Sequence, residues 1–477
     1  MKRKKMYILF VPVLIFSFGT SSSQTCGNLN FQHQADIPSV CNSLFMTMIH
    51  DRNDLPYLYV ANKGAGLTVY DLSEITFPSL VATVPTTLFD TLDVMSLSQY
   101  GNYLYLALGN SFTNPQKGGI AVIDISTPTA PVVTDYYVVP GSGSGGGIVR
   151  VEGNYAYLGA MQSGLVILDV TDKNNVQFVS QFVPDINFPP VASPNPSLYN
   201  ARGMEVSNSI VYLCYDGGGI RIINCTDKIH PKETGHWCNP VMYSPTDHPK
   251  AYNNCILDDT LLYVAVDYCG MEVLNVRDTG NITLTGWWNP YNCPNNNWFT
   301  SPSYANEMQY DKYCKRIFMS TGRSDMMVID VSDPTLPDSC NYYGGVDNGI
   351  GTWGIGMWHN QIYLSYICSI IPFPSSLTQL TILTFDPCTA GKIDEHSYDT
   401  FTVFPNPFSG QTTLHTNNYL RNATLILTNL LGETMWQMNF SGQTLIIRRN
   451  KLPAGIYFMQ LSQGTTVIAT KKLVIKD

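Results

Sequence analysis

A chain of 477 residues in which 44% are hydrophobic, 12% aromatic and only 13% charged is too apolar to remain disordered and long enough for more than one domain. Its formal net charge of −9 is unevenly spread: residues 24–390 hold 31 acidic and 15 basic side chains, residues 391–477 hold 5 and 8. The acidic body lacks the clustered Lys and Arg that a phosphate backbone requires, which argues against nucleic acid as a partner.

The first 23 residues read as a secretory signal peptide. Lys2, Arg3, Lys4 and Lys5 precede an apolar run from Met6 to Phe18 and the small residues Ser21 to Ser23. The run is too short for a membrane span, and Ser23-Gln24-Thr25 ahead of Cys26 is a poor lipobox, so cleavage is expected after Ser23. All twelve cysteines lie between Cys26 and Cys388, and no Cys-x-x-Cys occurs. In an exported chain this predicts disulfides before zinc. A Cys26–Cys388 bridge would lock the repeat region, and Cys238, Cys255, Cys269 and Cys293 form a second candidate group.

From Tyr57 the chain repeats one pattern: an apolar strand, a tight polar turn and a second apolar strand closed by Asp or Asn. YAYLGAMQSGLVILDVT from Tyr155 shows it most plainly. The aromatic of the first of these strands recurs at Tyr59, Tyr105, Tyr157, Tyr212, Tyr263, Phe318 and Tyr363, a period of 45 to 55 residues. Repeats of this length made of short strands predict the blades of a propeller, each a sheet that must stack on its neighbours. Seven copies predict seven blades. The seventh lacks a fourth strand before Pro387, and Phe31 to Ile37, ahead of an opening strand at Phe45 to Ile49, is expected to supply it and so close the ring. The LVILDV core, with the Asp-x-Ser-Asp-Pro-x-x-Pro tail at Asp330 to Pro337, resembles the LVIVD-repeat family of bacterial surface propellers over about residues 31–388. That resemblance implies the fold and assigns no chemistry.

After a polar linker over residues 389–400, alternating segments from Phe401 to Asp477 predict a small β-sandwich. Pro405, Asn406 and Pro407 in its opening strand, Gly455 and Tyr457 in a Gly-Ile-Tyr motif, and the terminal Lys471, Lys472 and Leu473 resemble the type A C-terminal sorting domain of the type IX secretion system. The resemblance implies passage across the outer membrane by that machinery and a secreted or surface-attached product, with no transmembrane segment in the mature chain. The division expected is therefore 1–23 signal peptide, 24–388 propeller, 389–400 linker and 401–477 sorting domain.

Candidate chemistry is sparse. Asp71, Asp124, Asp169, Asp330 and Asp386 recur once per blade, with Asn224 and Asn275 in their place in blades four and five, which assigns them to the turn after the third strand and not to catalysis. Gly141-Gly143-Gly146 and Gly349-Gly351-Gly354 match a phosphate-loop spacing but precede strands, where that loop needs a helix. The long connections, at 140–147, 183–202, 239–254, 289–306, 110–118 and 368–376, all fall on one face, the usual place for binding on a rigid scaffold. Trp287, Trp288, Tyr291 and Trp298 lie in or beside them, and aromatic faces with amide groups suit sugars or peptides. Near first-strand entrances on that face stand Arg202, Asn253, Glu307 and Trp353, and near second-strand ends Asp216, Asp267 and Arg323. With Trp298 they form the candidate ligand site, and a glycan or peptide is the expected ligand of a binding or adhesion propeller. The alternative is an extracellular hydrolase or lyase, lactonase-like, whose calcium would need oxygens from Asp93, Asn253, Asn306 and Glu307; the first reading needs no cofactor and assigns no catalytic residue.

Overall fold

The computed structural model describes residues 26, 29–39, 47–110, 115–244, 250–293, 301–366, 377–386, 401–429, 433–463 and 466–476. Trp298, Cys41, Cys368, Cys388, the linker and the signal segment lie outside them.

Strands of five to seven residues with continuous apolar character, such as Leu165–Asp169, are buried on both faces, whereas outer strands such as Lys232–Trp237 alternate between exposed and half-buried. A sheet so patterned has to be sandwiched between two others along its inner strands. Seven four-stranded antiparallel sheets result, six of them built from consecutive strands. Seven hydrophobic clusters follow, each shared by two adjacent blades; one joins Tyr105, Ile120 and Val122 of blade two to Val149, Leu158 and Val166 of blade three. The seven repeat aromatics all sit in these interfaces at 8% exposure or less. Fully burying one such side chain stabilises by roughly 1.5–3 kcal/mol.

The ring closes as the strand count requires. Thr352–Trp358, Gln361–Tyr366 and Gln379–Phe385 form the inner three strands of blade seven, and Phe31–Pro38 pairs with the last of them from Phe31↔Phe385 to Pro38↔Gln379. Blade one opens with Met48–His50, a shorter strand than the expected Phe45 to Ile49, whose first two residues are outside the described set. The recurrent acids cap their turns: the side-chain oxygens of Asp71, Asp124, Asp169, Asn224, Asn275 and Asp330 each accept from the backbone N–H two residues on, at 2.7–3.0 Å.

The cysteine expectation is corrected. Cys26 bonds Cys340 in the outer strand of blade six, not Cys388. The reason is the path of the N-terminal segment, which crosses blade six before it enters blade seven: Leu29 packs with Phe318 and Val328, and Asn341 donates to the Leu29 carbonyl at 2.8 Å. Of the second group only Cys269–Cys293 is bridged, and Cys238 and Cys255 are buried free thiols, as are Cys214 and Cys225.

Residues 401–476 form a separate five-stranded sheet with its own core of Leu414, Leu425, Phe440 and Tyr457 among others. The long strand Gln411–Asn429 pairs with Thr434–Arg448 along its length, from Gln411 to Thr428, with Phe401–Phe404 near its start and with Gly455–Gln463 near its end.

Candidate functional site

First strands line the central channel, and pairing register identifies its waist. The residues opposite the blade aromatics are Ile49, Ser98, Arg150, Glu205, Ile256, Gln309 and Gly356. Arg150 and Glu205 face each other there, Nη2 to Oε1 3.7 Å. Neither belongs to the expected site, although a sequence signal exists: in blades two to five and seven the waist residue stands seven positions before the aromatic.

The mouth on the long-loop face is built by β-bulges. In blades two, five, six and seven the register between first and second strands slips at the same end, between Val94 and Ser96, Tyr252 and Asn254, Ala305 and Met308, and Thr352 and Ile355. The residues inserted there include Met95, Asn253, Asn306, Glu307 and Trp353. A bulge leaves its extra residue unpaired and re-aims its side chain, and these five residues line one cavity of about 50 Å³ together with Arg202 and Thr47.

Arg202 anchors the rim. Its Nη1 lies 3.3 Å from Asp216 Oδ1, and its guanidinium stands 5.7 Å over the Trp353 ring. Burial opposes the charge on Arg202, but Asp216, with help from Asp267, more than offsets it and holds the group firmly protonated. Asp216 also accepts from Asn200 Nδ2 at 2.7 Å. Asn253 Nδ2 donates to the Ala305 carbonyl at 2.7 Å and Asn306 Nδ2 to the Thr352 carbonyl at 2.8 Å, so each amide reaches across to the next blade. Burial raises the Glu307 carboxyl to about 8, opposed by the Ile355 N–H and by Arg150 and Arg202.

Of the expected site residues, Arg202, Asn253, Glu307 and Trp353 meet at the cavity, and Asp216 serves it through Arg202. Asp267 is buried at the end of blade five's second strand and does not line the cavity; Arg323 is turned to Asp347, Nε to Oδ1 2.8 Å. Asp93 is held by Asn110 Nδ2 at 3.0 Å and does not line the cavity either. Trp287 donates to the Cys269 carbonyl and Trp288 is 2% exposed, so this pair packs the loops down. Among the described residues no three His, Cys, Asp or Glu gather to hold a metal, and no helix is long and apolar enough to cross a membrane.

In the sorting-domain sheet, motifs more than sixty residues apart come together. Asn406 Nδ2 donates to the Lys472 carbonyl and Asn406 Oδ1 accepts from the Val474 N–H, both at 2.8 Å, while Tyr457 pairs in register with Leu473.

A seven-bladed ring around a polar channel, followed by a separate β-domain, defines an all-β propeller with an appended module. Family models match at both parts: LVIVD repeats at residues 56–86, 93–138, 146–183 and 319–343, and a secretion system C-terminal sorting domain at residues 402–476. The chain thus carries LVIVD repeats in its propeller and a type IX C-terminal sorting domain behind it, and it is secreted to the cell surface or beyond. No curated protein matches it by sequence. Among solved structures it is similar to PorZ, described as an essential bacterial surface component of the type-IX secretion system of Porphyromonas gingivalis, at 12% identity and a TM-score of 0.40 over 90% of this chain. The chain spans 65% of the length of that one. A chain of a mitotic checkpoint complex is similar at 12% identity and a TM-score of 0.48, over 80% of this chain and 98% of that one.

Proposed function

We propose that the propeller is a surface-displayed binding module whose ligand enters at the bulged channel mouth. The observation that carries this reading is the clustering of bulges: four blades break their first-strand register at one end, and the residues so released share one cavity with the Arg202–Asp216 pair. Elsewhere the blades keep their repeat. A flat Trp353 ring beside amides, a guanidinium and a carboxyl suits a polar, partly ring-shaped ligand such as a glycan, with a peptide second. A glycan array probed with the mature chain tests it. Binding is expected and should be lost when Arg202, Trp298, Glu307 and Trp353 are replaced by Ala together; binding that persists in that variant moves the site elsewhere. One feature favours the hydrolase or lyase reading: a Glu307 carboxyl at about 8 holds its proton at neutral pH, as a general acid does. Breakdown of a bound glycan that stops in Glu307→Gln would establish it.

The sorting role is assigned to the edge where Asn406 ties the opening motif to Lys471, Lys472 and Leu473. Removal of residues 471–477 takes away the strand partner of Gly455 to Met459 and should leave the protein in the periplasm on cell fractionation. Unchanged surface delivery would refute the assignment.

A further inference from the structure

Blades four and five come close together just beneath the channel mouth. A Cβ on Gly203, in the first strand of blade four, would lie 2.7 Å from Asn254 Cα of blade five, so only glycine leaves the two backbones room to meet there. Cys214 stands opposite Gly203 in the second strand of blade four, and Cys255 follows Asn254 in the first strand of blade five. Both are buried in the hydrophobic cluster that the two blades share, Cys214 at 0% and Cys255 at 1% exposure. Cys255 Sγ lies 3.5 Å from the carbonyl oxygen of Tyr212, two residues before Cys214, and the Cys214 and Cys255 thiols are in side-chain hydrogen-bond contact. In the structure both are thiols, whereas Cys26–Cys340 and Cys269–Cys293 are bonded.

We propose that Cys214 and Cys255 are a redox pair, oxidised to a disulfide as the chain is exported, that latches blade four to blade five beneath the mouth. Asp216, the partner of Arg202, stands two residues after Cys214, and Asn253 two residues before Cys255, so the bond would join the strands that carry both. The Cys214 carbonyl also accepts from the Arg202 N–H at 3.1 Å. Export takes the chain into an oxidising compartment, where thiols in contact are converted to disulfides. The oxidant is a protein disulfide of that compartment. One cysteine thiolate attacks it and releases one of its sulfurs as a thiol; the second cysteine then displaces the other sulfur from the mixed disulfide. One S–S bond forms in the chain, one breaks in the oxidant, and the two thiol protons end on the sulfurs of the reduced oxidant. Burial raises the Cys214 thiol well above its ordinary value, and neither sulfur-bearing side chain is exposed in the folded ring. The exchange therefore belongs to the stage before this seam packs, and the folded ring keeps the state it was given.

The thiols themselves give the readout, whatever ligand the mouth takes. The exported chain is denatured with N-ethylmaleimide in the absence of reductant and digested with pepsin. Mass spectrometry should find peptides joined through Cys214 and Cys255. Alkyl label on both cysteines, or either one bonded to Cys225 or Cys238, would overturn the proposal. The chain made and folded under reducing conditions should keep both thiols in oxidised glutathione and form the bond only when denaturant opens the seam. Rapid bonding in that folded chain would overturn the assignment of the exchange to folding. For the latch, amide exchange over residues 252–258 is followed in wild type and in the Cys214→Ala, Cys255→Ala double variant. The double change should speed exchange about tenfold in the exported chain and far less in the reduced one, which separates the bond from the packing of two sulfurs. Equal effects in the two preparations would show that no latch operates.

Discussion

Two tyrosines in equivalent repeat positions differ in what their hydroxyls meet. Tyr59 donates to Asp51 Oδ2 at 2.7 Å, with Asp51 fully buried, whereas the Tyr105 hydroxyl is buried without a protein partner. Tyr59→Phe should therefore cost about 1.5–3 kcal/mol, the worth of a hydrogen bond to a charged group, and Tyr105→Phe should be close to neutral. Urea denaturation of the two variants checks this, and equal losses would contradict it. The aromatic ladder itself is legible in the sequence, because a residue demanded by every blade appears seven times. The residues of the mouth are legible too, since Arg202, Asn253, Glu307 and Trp353 stand where first strands begin, but the bulges that bring them together are not: within Tyr252-Asn253-Asn254-Cys255 only the register shows that Asn253 is the inserted residue. Arg150 and Glu205 each stand seven positions before a repeat aromatic, but that spacing acquires meaning only when seven strands are brought around one axis.

Among the blades, the seventh is a composite, and its contact with blade one is the place where chemistry can open the ring. His50 of blade one stacks on Trp358 of blade seven with ring centroids 5.5 Å apart and planes within 6°. Trp358 Nε1 donates to Asp54 at 3.0 Å, His359 meets the same carboxylate at 3.1 Å, and Arg52 covers the Trp358 ring at 5.0 Å. Burial lowers His50 from 6.5 to about 4, against the Asp51 carbonyl and the Asp54 charge, which favour the proton. Asp54 is also lowered, chiefly by its bond to His359. For both groups the unfolded chain binds protons at a higher pH than the folded one, so stability falls as pH falls. The His50 share is complete above about 6.5 and is lost between there and 4, roughly 3 kcal/mol by linkage. Asp54, half exposed, adds a smaller loss at lower pH. The melting temperature of the propeller should drop across pH 6.5–4, and His50→Phe, which keeps the stack and removes the proton site, should flatten that drop. An unchanged acid slope in His50→Phe would sink this account. That a strand near the N-terminus completes blade seven follows from counting strands in the sequence; that the seam rests on a histidine stack does not, since His50 and Asp54 stand some 300 residues from Trp358.

At the scale of the whole chain, the Cys26–Cys340 bond fastens the N-terminal segment to blade six just before that segment becomes the outer strand of blade seven. A link spanning 314 residues restrains the unfolded chain strongly, and its loss in Cys26→Ser is expected to cost about 2–5 kcal/mol. The closing strand should then detach first, which hydrogen exchange can follow as early loss of protection over residues 31–38; uniform loss over all blades would argue that the bond does not act as a clasp. The same strand pairing also sets an order in time. Gln34 meets Thr384 at 2.8 Å across 350 residues of chain, so the first strand to be made waits for the last strand of the ring before it has a partner. Long-range pairing of this kind is slow, and during that wait the edge of Gln379–Phe385 and the apolar side of Phe31–Pro38 are both open. Residues 401–476, which carry the address for export, emerge only after the ring has everything it needs to shut. The placement of the sorting domain behind the closing strand therefore works as a clock: a chain that can be addressed is a chain whose ring can already have closed.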